Sequence, residues 1–444
     1  VSAEQALLGF AERIVADGRS AGVSIAVTSA DRTLLRSGAG VTLGGAAFDA
    51  DSLALIGSIT KSATALLVLQ ERERGTLDLE APVERYLPWF AVRNPHGPIS
   101  LRHLLMHTAG LPLEVNPGPP SAANVALLAE VEPVWAPGLR HSYSNCGYDA
   151  LGLVLERVCG RPYAALLQER VLAPLRMADT LPAVGERARD RLSPGHVLRN
   201  PLRGWAPDNP LVPAPWVPYE AADGCVCSTA EDMCRYARML LARGRPLVST
   251  ESFGLMTEDT VDNGEGGRYG YGLVTTRAGG RELVGHGGGM VGHHAQLLCD
   301  RAAGLAAIAL VDGDHGHRQL AEYGLALARA EQAGGPPPDP PALPEPSPPA
   351  ARGAGDHPLA GLYRSHNPWL PAVRVAHTDG RLSLQVAGEE TAELVPGQNG
   401  AFAVLLDGRP TPETVRFDLE VEGRPQRLWL NGADPCFRSP AGVD

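Results

Sequence analysis

Apolar residues follow two rhythms along this chain, and the change from one to the other divides it. Near the start, Leu7, Leu8, Phe10, Ile14 and Val15 fall on one helical face within residues 1–18. Residues 23–28 predict a strand, residues 29–32 a turn and residues 33–37 a second strand. Helical spacing returns over residues 61–73 (Ala63, Leu66, Leu67, Leu69), and Gly75 supplies a C-terminal stop. Two further helices are expected at 101–107 and 148–158. Residues 181–222 are rich in proline and poor in regular pattern, which predicts a long functional loop walling a site. Residues 221–241 run from a glycine turn into a helix capped near Ser228-Thr229, with Glu231 and Asp232 in its first turn. Strands at 269–275, 282–284, 295–299 and 305–311 and a helix at 319–331 complete this part.

The pattern then breaks. A proline-rich stretch from Gly334 to Pro349 reads as a semi-rigid, extended linker. Beyond residue 358, apolar and polar residues alternate in short runs (373–375, 382–386, 402–406, 415–421, 427–430) separated by turns such as Asn431-Gly432. That is the signature of a small antiparallel barrel. The expected organisation is a domain over 1–333, a linker over 334–357 and an all-β barrel over 358–444.

A net charge of −11 argues against nucleic acid or an anionic membrane as partner. No apolar run approaches the length of a membrane span, and the first residues lack the basic start and apolar middle of a signal peptide. Seven scattered cysteines without a C-x-x-C pair suggest reduced, buried thiols and a cytoplasmic location. Oligomeric state is not legible at this level.

Candidate chemistry begins with an imbalance: thirty-eight arginines stand against one lysine, Lys61. Arginine stays protonated, whereas a lysine in a low-dielectric setting or beside another cation can give up its proton and act as a base. Lys61 lies three residues after Ser58, at the start of a predicted helix. Ser58 would then occupy the positive end of the helix dipole with its N–H free for an oxyanion, and Lys61 would be the base its hydroxyl needs. A second candidate is Tyr143-Ser144-Asn145, where a tyrosine near cations can exchange protons and an asparagine can orient an amine or a carbonyl. The third is His286-Gly287-Gly288-Gly289. Read alone it is a glycine-rich turn; its glycines would let a substrate lie against backbone, and an N–H could complete an oxyanion hole.

Together, in this order, the three motifs resemble those of the penicillin-recognising serine enzymes, the β-lactamases, penicillin-binding proteins and their relatives. Residues 57–65, 104–112, 172–180 and 224–233 are similar to the class-C-type branch, and the resemblance spans roughly residues 5–330. It implies an α/β fold, a β-lactamase/transpeptidase-like domain with an antiparallel sheet flanked by helices and a helical subdomain. The tail, with 359–364, resembles a lipocalin-like barrel. The implied roles are Ser58 as nucleophile, Lys61 and Tyr143 as proton carriers, and Asn145 as orienting group. The Ser58 and Gly289 amides would form the oxyanion hole, and Gly287 and Gly288 would line the substrate. His286 stands where β-lactamases of this branch usually carry lysine, so a permanent anchor for a β-lactam carboxylate is missing. No equivalent of the class A deacylating glutamate is evident, which leaves deacylation to Tyr143.

The resemblance implies acyl transfer through Ser58 on a small-molecule or peptide substrate, with no cofactor and no metal. Three outcomes follow from it: a stand-alone peptide cyclase similar to penicillin-binding-protein-type thioesterases, a D-stereospecific peptidase or amidase, and a carboxylesterase. A non-catalytic acylated sensor is a fourth. Other motifs carry less. Gly18-x-Ser20-x-Gly22 matches a nucleophile elbow but sits between a helix and a strand, and His286–Gly289 comes too late to serve as its oxyanion element. Gly287-x-Gly289-x-x-Gly292 leads into a predicted strand, not the helix of a dinucleotide site. His293-His294 and Asp314-His315-Gly316-His317 lack metal-ligand spacing and read as polar loop residues.

Overall fold

A computed structural model describes residues 2–115, 120–346, 357–387, 389–432 and 434–440. The chain forms two compact units, one of Val1–Ala81, Leu151–Val197 and Pro210–Glu345, the other of Pro82–Ala150, Leu198–Asn209 and Pro346–Asp444. Of the expected linker, residues 347–356 lie outside the described residues.

The first unit opens with α1 (Ala3–Ala16), started by a reciprocal cap in which Ser2 Oγ accepts the Gln5 N–H and Gln5 Oε1 accepts the Ser2 N–H. The chain continues through β1 (Ser20–Ser29) and β2 (Thr33–Gly40) into α2 (Thr60–Glu73). An eight-stranded antiparallel sheet is completed by β3 (Val261–Asp262), β4 (Arg268–Tyr269), β5 (Val274–Ala278), β6 (Arg281–Met290), β7 (His293–Asp300) and β8 (Leu305–Gly313), in the order β2-β1-β8-β7-β6-β5-β4-β3. Central β8 is buried at every residue, which accounts for its nearly unbroken apolar run. One core joins Leu7, Phe10 and Ile14 of α1 to Val23, Ile25 and Val27 of β1 and to Leu320, Tyr323 and Leu327 of the last helix, His317–Gln332. The helix Ala230–Leu241 packs against β1 and β8, and its predicted cap is Thr229, whose Oγ1 accepts the Asp232 N–H at 3.1 Å.

In this unit three expectations change. The helix over 61–73 is buried on all sides from Thr60 to Glu71, so it is a central helix and its polar residues need partners. Ser62 Oγ pairs with Tyr236 OH at 2.7 Å, and Thr64 Oγ1 donates to Ala222 O at 2.6 Å. The strand expected over 269–275 is interrupted between β4 and β5. Gly270 and Gly272 lie against backbone there: a Cβ on Gly272, whose φ is +70°, would come 2.6 Å from Lys61 O. The glycine-rich turn expected at 287–289 is instead part of β6, paired residue for residue with β7 (Gly287↔Gln296, Gly289↔His294).

In the second unit a short helix, Leu101–Leu105, ends earlier than expected because His107 takes a left-handed φ of +55°. The helix Asn145–Cys159 begins in this unit. Eight strands then close an antiparallel barrel: β9 (Gly361–Arg364), β10 (Ala372–Thr378), β11 (Arg381–Val386), β12 (Ala392–Pro396), β13 (Phe402–Leu406), β14 (Arg409–Val421), β15 (Arg424–Leu430) and β16 (Asp434–Arg438). Each strand pairs with the next, and β9 meets β16 to close the ring, as in lipocalin-like barrels. The closed ring leaves no free edge, and Tyr363, Val373, Val375, Leu384, Val404, Val415 and Leu428 fill its interior.

Among the described residues no helix is long and apolar enough to cross a membrane. All seven cysteines are unbridged and six are buried. Burial pushes the thiols of Cys227, Cys234 and Cys299 up to about 12, which keeps them protonated.

Candidate active site

The site is built around one turn of 3-10 helix, Gly57–Ile59, that precedes α2. Gly57 has φ +51°, and a Cβ there would fall 2.7 Å from the Gly289 amide nitrogen, so only glycine lets the turn lie along β6. Ser58 follows, half-buried in an otherwise buried run. One turn on, the wholly buried Lys61 donates from Nζ to Ser58 Oγ at 3.0 Å. The predicted pair is in hydrogen-bond contact.

Lys61 has company that the sequence pattern does not announce. Its Nζ also donates to Asp223 O at 2.9 Å and lies 3.8 Å from Asp223 Oδ2. The carboxylate of Asp223, a buried residue, accepts from Tyr219 OH at 2.7 Å. Tyr219 belongs to the proline-rich stretch, which the two units share: residues 198–209 fall in the second, the rest in the first. A clue was present in the sequence, since Asp223 interrupts the small residues of Ala221-Ala222-Asp223-Gly224 just before 225–229. Its burial beside a lysine was not.

His286 is buried in β6, with Tyr269 OH 3.0 Å from Nε2 and Gly287 O 2.5 Å from Nδ1. A carbonyl only accepts, so Nδ1 carries the proton and Nε2 accepts from the tyrosine. Burial, aided by the charge of Lys61, pulls His286 down to about 4. The ring is therefore neutral at pH 7, and not partly charged as an exposed histidine would be. Gly287 has room for a side chain, with only Gln296 Oε1 at 3.7 Å, whereas a Cβ on Gly288 would come 1.9 Å from Ile56 O.

Tyr143 and Asn145 lie in the second unit, and the segment after the Leu101–Leu105 helix shapes them. The Ser142 N–H donates to His107 O at 2.7 Å and the Ser144 N–H to His107 Nδ1 at 3.0 Å. The His107 ring stacks at a tilt on Tyr143, centroids 4.1 Å apart. The Asn145 N–H donates to Leu113 O at 2.9 Å, and its side-chain amide donates to Glu114 Oε1. Within residues 104–112, His107 and Leu111 are thus the residues that contact Ser142 and Ser144 beside this motif.

The weaker motifs of the sequence serve the framework. Ser20 begins β1, is buried, and donates to His315 O at 2.8 Å. The glycines of 287–292 run through β6 into the turn before β7. No group of three or more His, Cys, Asp or Glu that could hold a metal occurs among the described residues. His196 instead pairs with Asp312 at 2.8 Å, and His294 stacks on His317 at 5.3 Å.

Comparison with known proteins fits this geometry: residues 9–332 match the family model described as Beta-lactamase. The chain belongs to the β-lactamase family. It is 31% identical over 204 residues to the D-alanyl-D-alanine-carboxypeptidase/endopeptidase AmpH of Escherichia coli, an alignment covering 43% of this chain and 50% of AmpH. The chain thus spans about half the length of that relative. Among solved structures, SurE is similar over 98% of this chain and 99% of its own, at TM-score 0.61 and 25% identity. A D-amino acid amidase from Ochrobactrum anthropi SV3, complexed with D-phenylalanine, is similar over 74% of this chain and 99% of its own, at TM-score 0.64 and 25% identity. The match to SurE extends over the barrel as well as the β-lactamase-like part.

Proposed function

We propose that this protein is a serine acyl-transfer enzyme in which Ser58 takes the acyl group of a peptidyl ester or thioester ending in a D-configured residue. The acyl group is released to an amine of the same peptide, so that the product is cyclic. The observation that carries acyl transfer is the 3.0 Å contact between Ser58 Oγ and the buried Lys61 Nζ. In this reading a neutral Lys61 takes the Ser58 proton as Oγ attacks the carbonyl carbon, and the Ser58 and Gly289 N–H groups hold the oxyanion. The carbon–sulfur bond breaks and the thiol leaves with a proton. Tyr143 and Lys61 then deprotonate the incoming amine and return a proton to Ser58 as the ester opens, while Asn145 orients lysine and substrate.

Support for a peptide thioester over a β-lactam comes from His286. Neutral, with both ring nitrogens engaged, it offers no standing positive charge to an anionic ring carboxylate. Support for the D-configuration comes from the similarity to the D-amino acid amidase and from a SurE structure with D-Leu. A carrier-linked substrate of this kind would be met in the cytoplasm. The amidase similarity also favours a second reading, release of the same acyl group to water as a D-stereospecific amidase or peptidase. The experiment is mass spectrometry of intact protein and product with a peptide thioester ending in a D-residue. A cyclic product through transient acylation supports the cyclase, and a linear acid alone supports the hydrolase. Ser58→Ala should abolish acylation, and Lys61→Arg, which keeps charge but removes the base, should slow it by several orders of magnitude. Acylation that survives Ser58→Ala refutes both readings.

A further inference from the structure

The barrel carries no chemistry of its own, yet two of its residues reach the segment that holds the Tyr-x-Asn motif. Glu413, in β14, accepts the Leu113 N–H on Oε1 at 2.9 Å across 300 residues of sequence. Asn431, in the turn between β15 and β16, donates from Nδ2 to Glu114 O at 2.6 Å. Asn431 is 7% exposed and is itself locked: its N–H donates to Thr414 O at 2.9 Å and its Oδ1 accepts the Thr414 N–H at 2.9 Å. Its left-handed φ of +52° suits asparagine. The barrel therefore presents a carboxylate from a strand and an amide from a turn to one dipeptide, Leu113-Glu114.

The same dipeptide holds Asn145. Leu113 O receives the Asn145 N–H at 2.9 Å and Glu114 Oε1 receives its side-chain amide. The second contact decides which way the amide faces, since Nδ2 must point at the carboxylate. Leu113 and Glu114 lie outside any helix or strand, so no ladder of regular hydrogen bonds fixes them. A loop dipeptide so placed takes its position from what grips it.

We propose that the barrel is a positioning element for the active site, with Glu413 and Asn431 as positioning residues that fix Leu113-Glu114 and, through it, the orientation of Asn145. This rests on the reading of Asn145 as part of the site. A charge-assisted bond from a backbone N–H to a carboxylate is among the stronger uncrosslinked constraints available. A displacement of about 1 Å in an orienting group is enough to slow turnover by up to a hundredfold. The barrel would then act on the rate of the chemical step, and not only as a wall or lid that changes how tightly substrate is held.

The experiment uses the full chain and a D-acyl thioester, with kcat and KM measured separately and thermal melting as the check on folding. Glu413→Ala removes the acceptor for Leu113. Asn431→Asp keeps the Oδ1 that accepts from Thr414 but replaces the donor to Glu114 O with a carboxylate oxygen, so it turns that contact from attractive to repulsive while the turn keeps its own bond. Both should lower kcat by roughly ten- to a hundredfold with KM within about threefold. Glu413→Gln, whose amide oxygen still accepts, should restore most of the rate. Asn145→Ala should be slow, and adding Glu413→Ala to it should cost nothing further, because both act through one group. Wild-type kcat in Glu413→Ala and Asn431→Asp beside a slow Asn145→Ala overturns the link to the barrel. A loss confined to KM overturns it too, since the barrel then only binds. Wild-type kcat in Asn145→Ala sinks the reading of the site itself.

Discussion

Gly287 and Gly288 are neighbours in one strand, yet replacing each with alanine should have opposite consequences. A Cβ on Gly288 would lie 1.9 Å from Ile56 O and 2.8 Å from Ile56 C, both backbone atoms of the residue before the Gly57–Ile59 turn. Restoring ordinary contact near 3.4 Å requires β6 and that turn to part by roughly 1.5 Å. The parting surfaces carry the Ser58 and Gly289 amides, the proposed oxyanion donors, so a shift of that size takes one donor out of reach. Loss of a single such donor costs about 10²–10³ in kcat, on the order of 3–4 kcal/mol. A Cβ on Gly287 meets only Gln296 Oε1 at 3.7 Å, an ordinary contact with a movable side chain. Gly287→Ala should therefore turn over within a few-fold of wild type. Neither glycine has a positive φ, so the contrast is one of contact and not of backbone strain. The assay is the rate of Ser58 acylation and product release, followed by intact-mass spectrometry, on variants whose melting shows them folded. Gly288→Ala within about threefold of wild type, or Gly287→Ala as slow as Gly288→Ala, would refute the reasoning.

Two further outcomes follow from buried charge. Asp223→Asn removes the carboxylate 3.8 Å from Lys61 Nζ, which disfavours the ammonium form of the lysine, so the acidic limb of the kcat/KM profile should move to lower pH; superimposable profiles would exclude Asp223 from setting that limb. Burial, with the charges of His294 and His315, pulls His317 down to about 3, well under its ordinary 6.5. Around pH 5 the unfolded chain thus binds a proton there that the folded chain does not, and stability falls as pH drops from about 6.5 toward 3. His317→Gln should reduce the slope of unfolding free energy against pH near pH 5 by about 1.4 kcal/mol per pH unit, measured by urea titration at several pH values; an unchanged slope would contradict a neutral His317.

Much of the fold was legible because local periodicity reports on burial. The amphipathic start, the strands 23–28 and 33–37, the helix near 230–241 with its Thr229 cap, and the alternating runs of the barrel all appear close to their expected places. Expectations failed where tertiary contact overrides pattern. The Leu101–Leu105 helix stops at Leu105 because His107 must turn left-handed to grip Ser142 and Ser144. Residues 287–289 read as a turn because glycine usually marks one, yet they stay in β6, where Gly288 leaves room for Ile56 O and a neighbouring strand supplies the pairing.

For the candidate site the division is similar. A lone lysine three residues after a serine named the pair without a structure, because helical geometry alone puts those positions one turn apart and side by side. Nothing local could reveal Asp223 beside Lys61, Tyr269 on His286, or a barrel residue 300 positions away holding Leu113. Nor could it say that His286 is neutral, since a titration depends on how much water surrounds the ring. Sequence determined which groups the protein has and those spaced by its own helices and strands; contacts between segments far apart in the chain, and the solvent they exclude, arise only when the chain is packed.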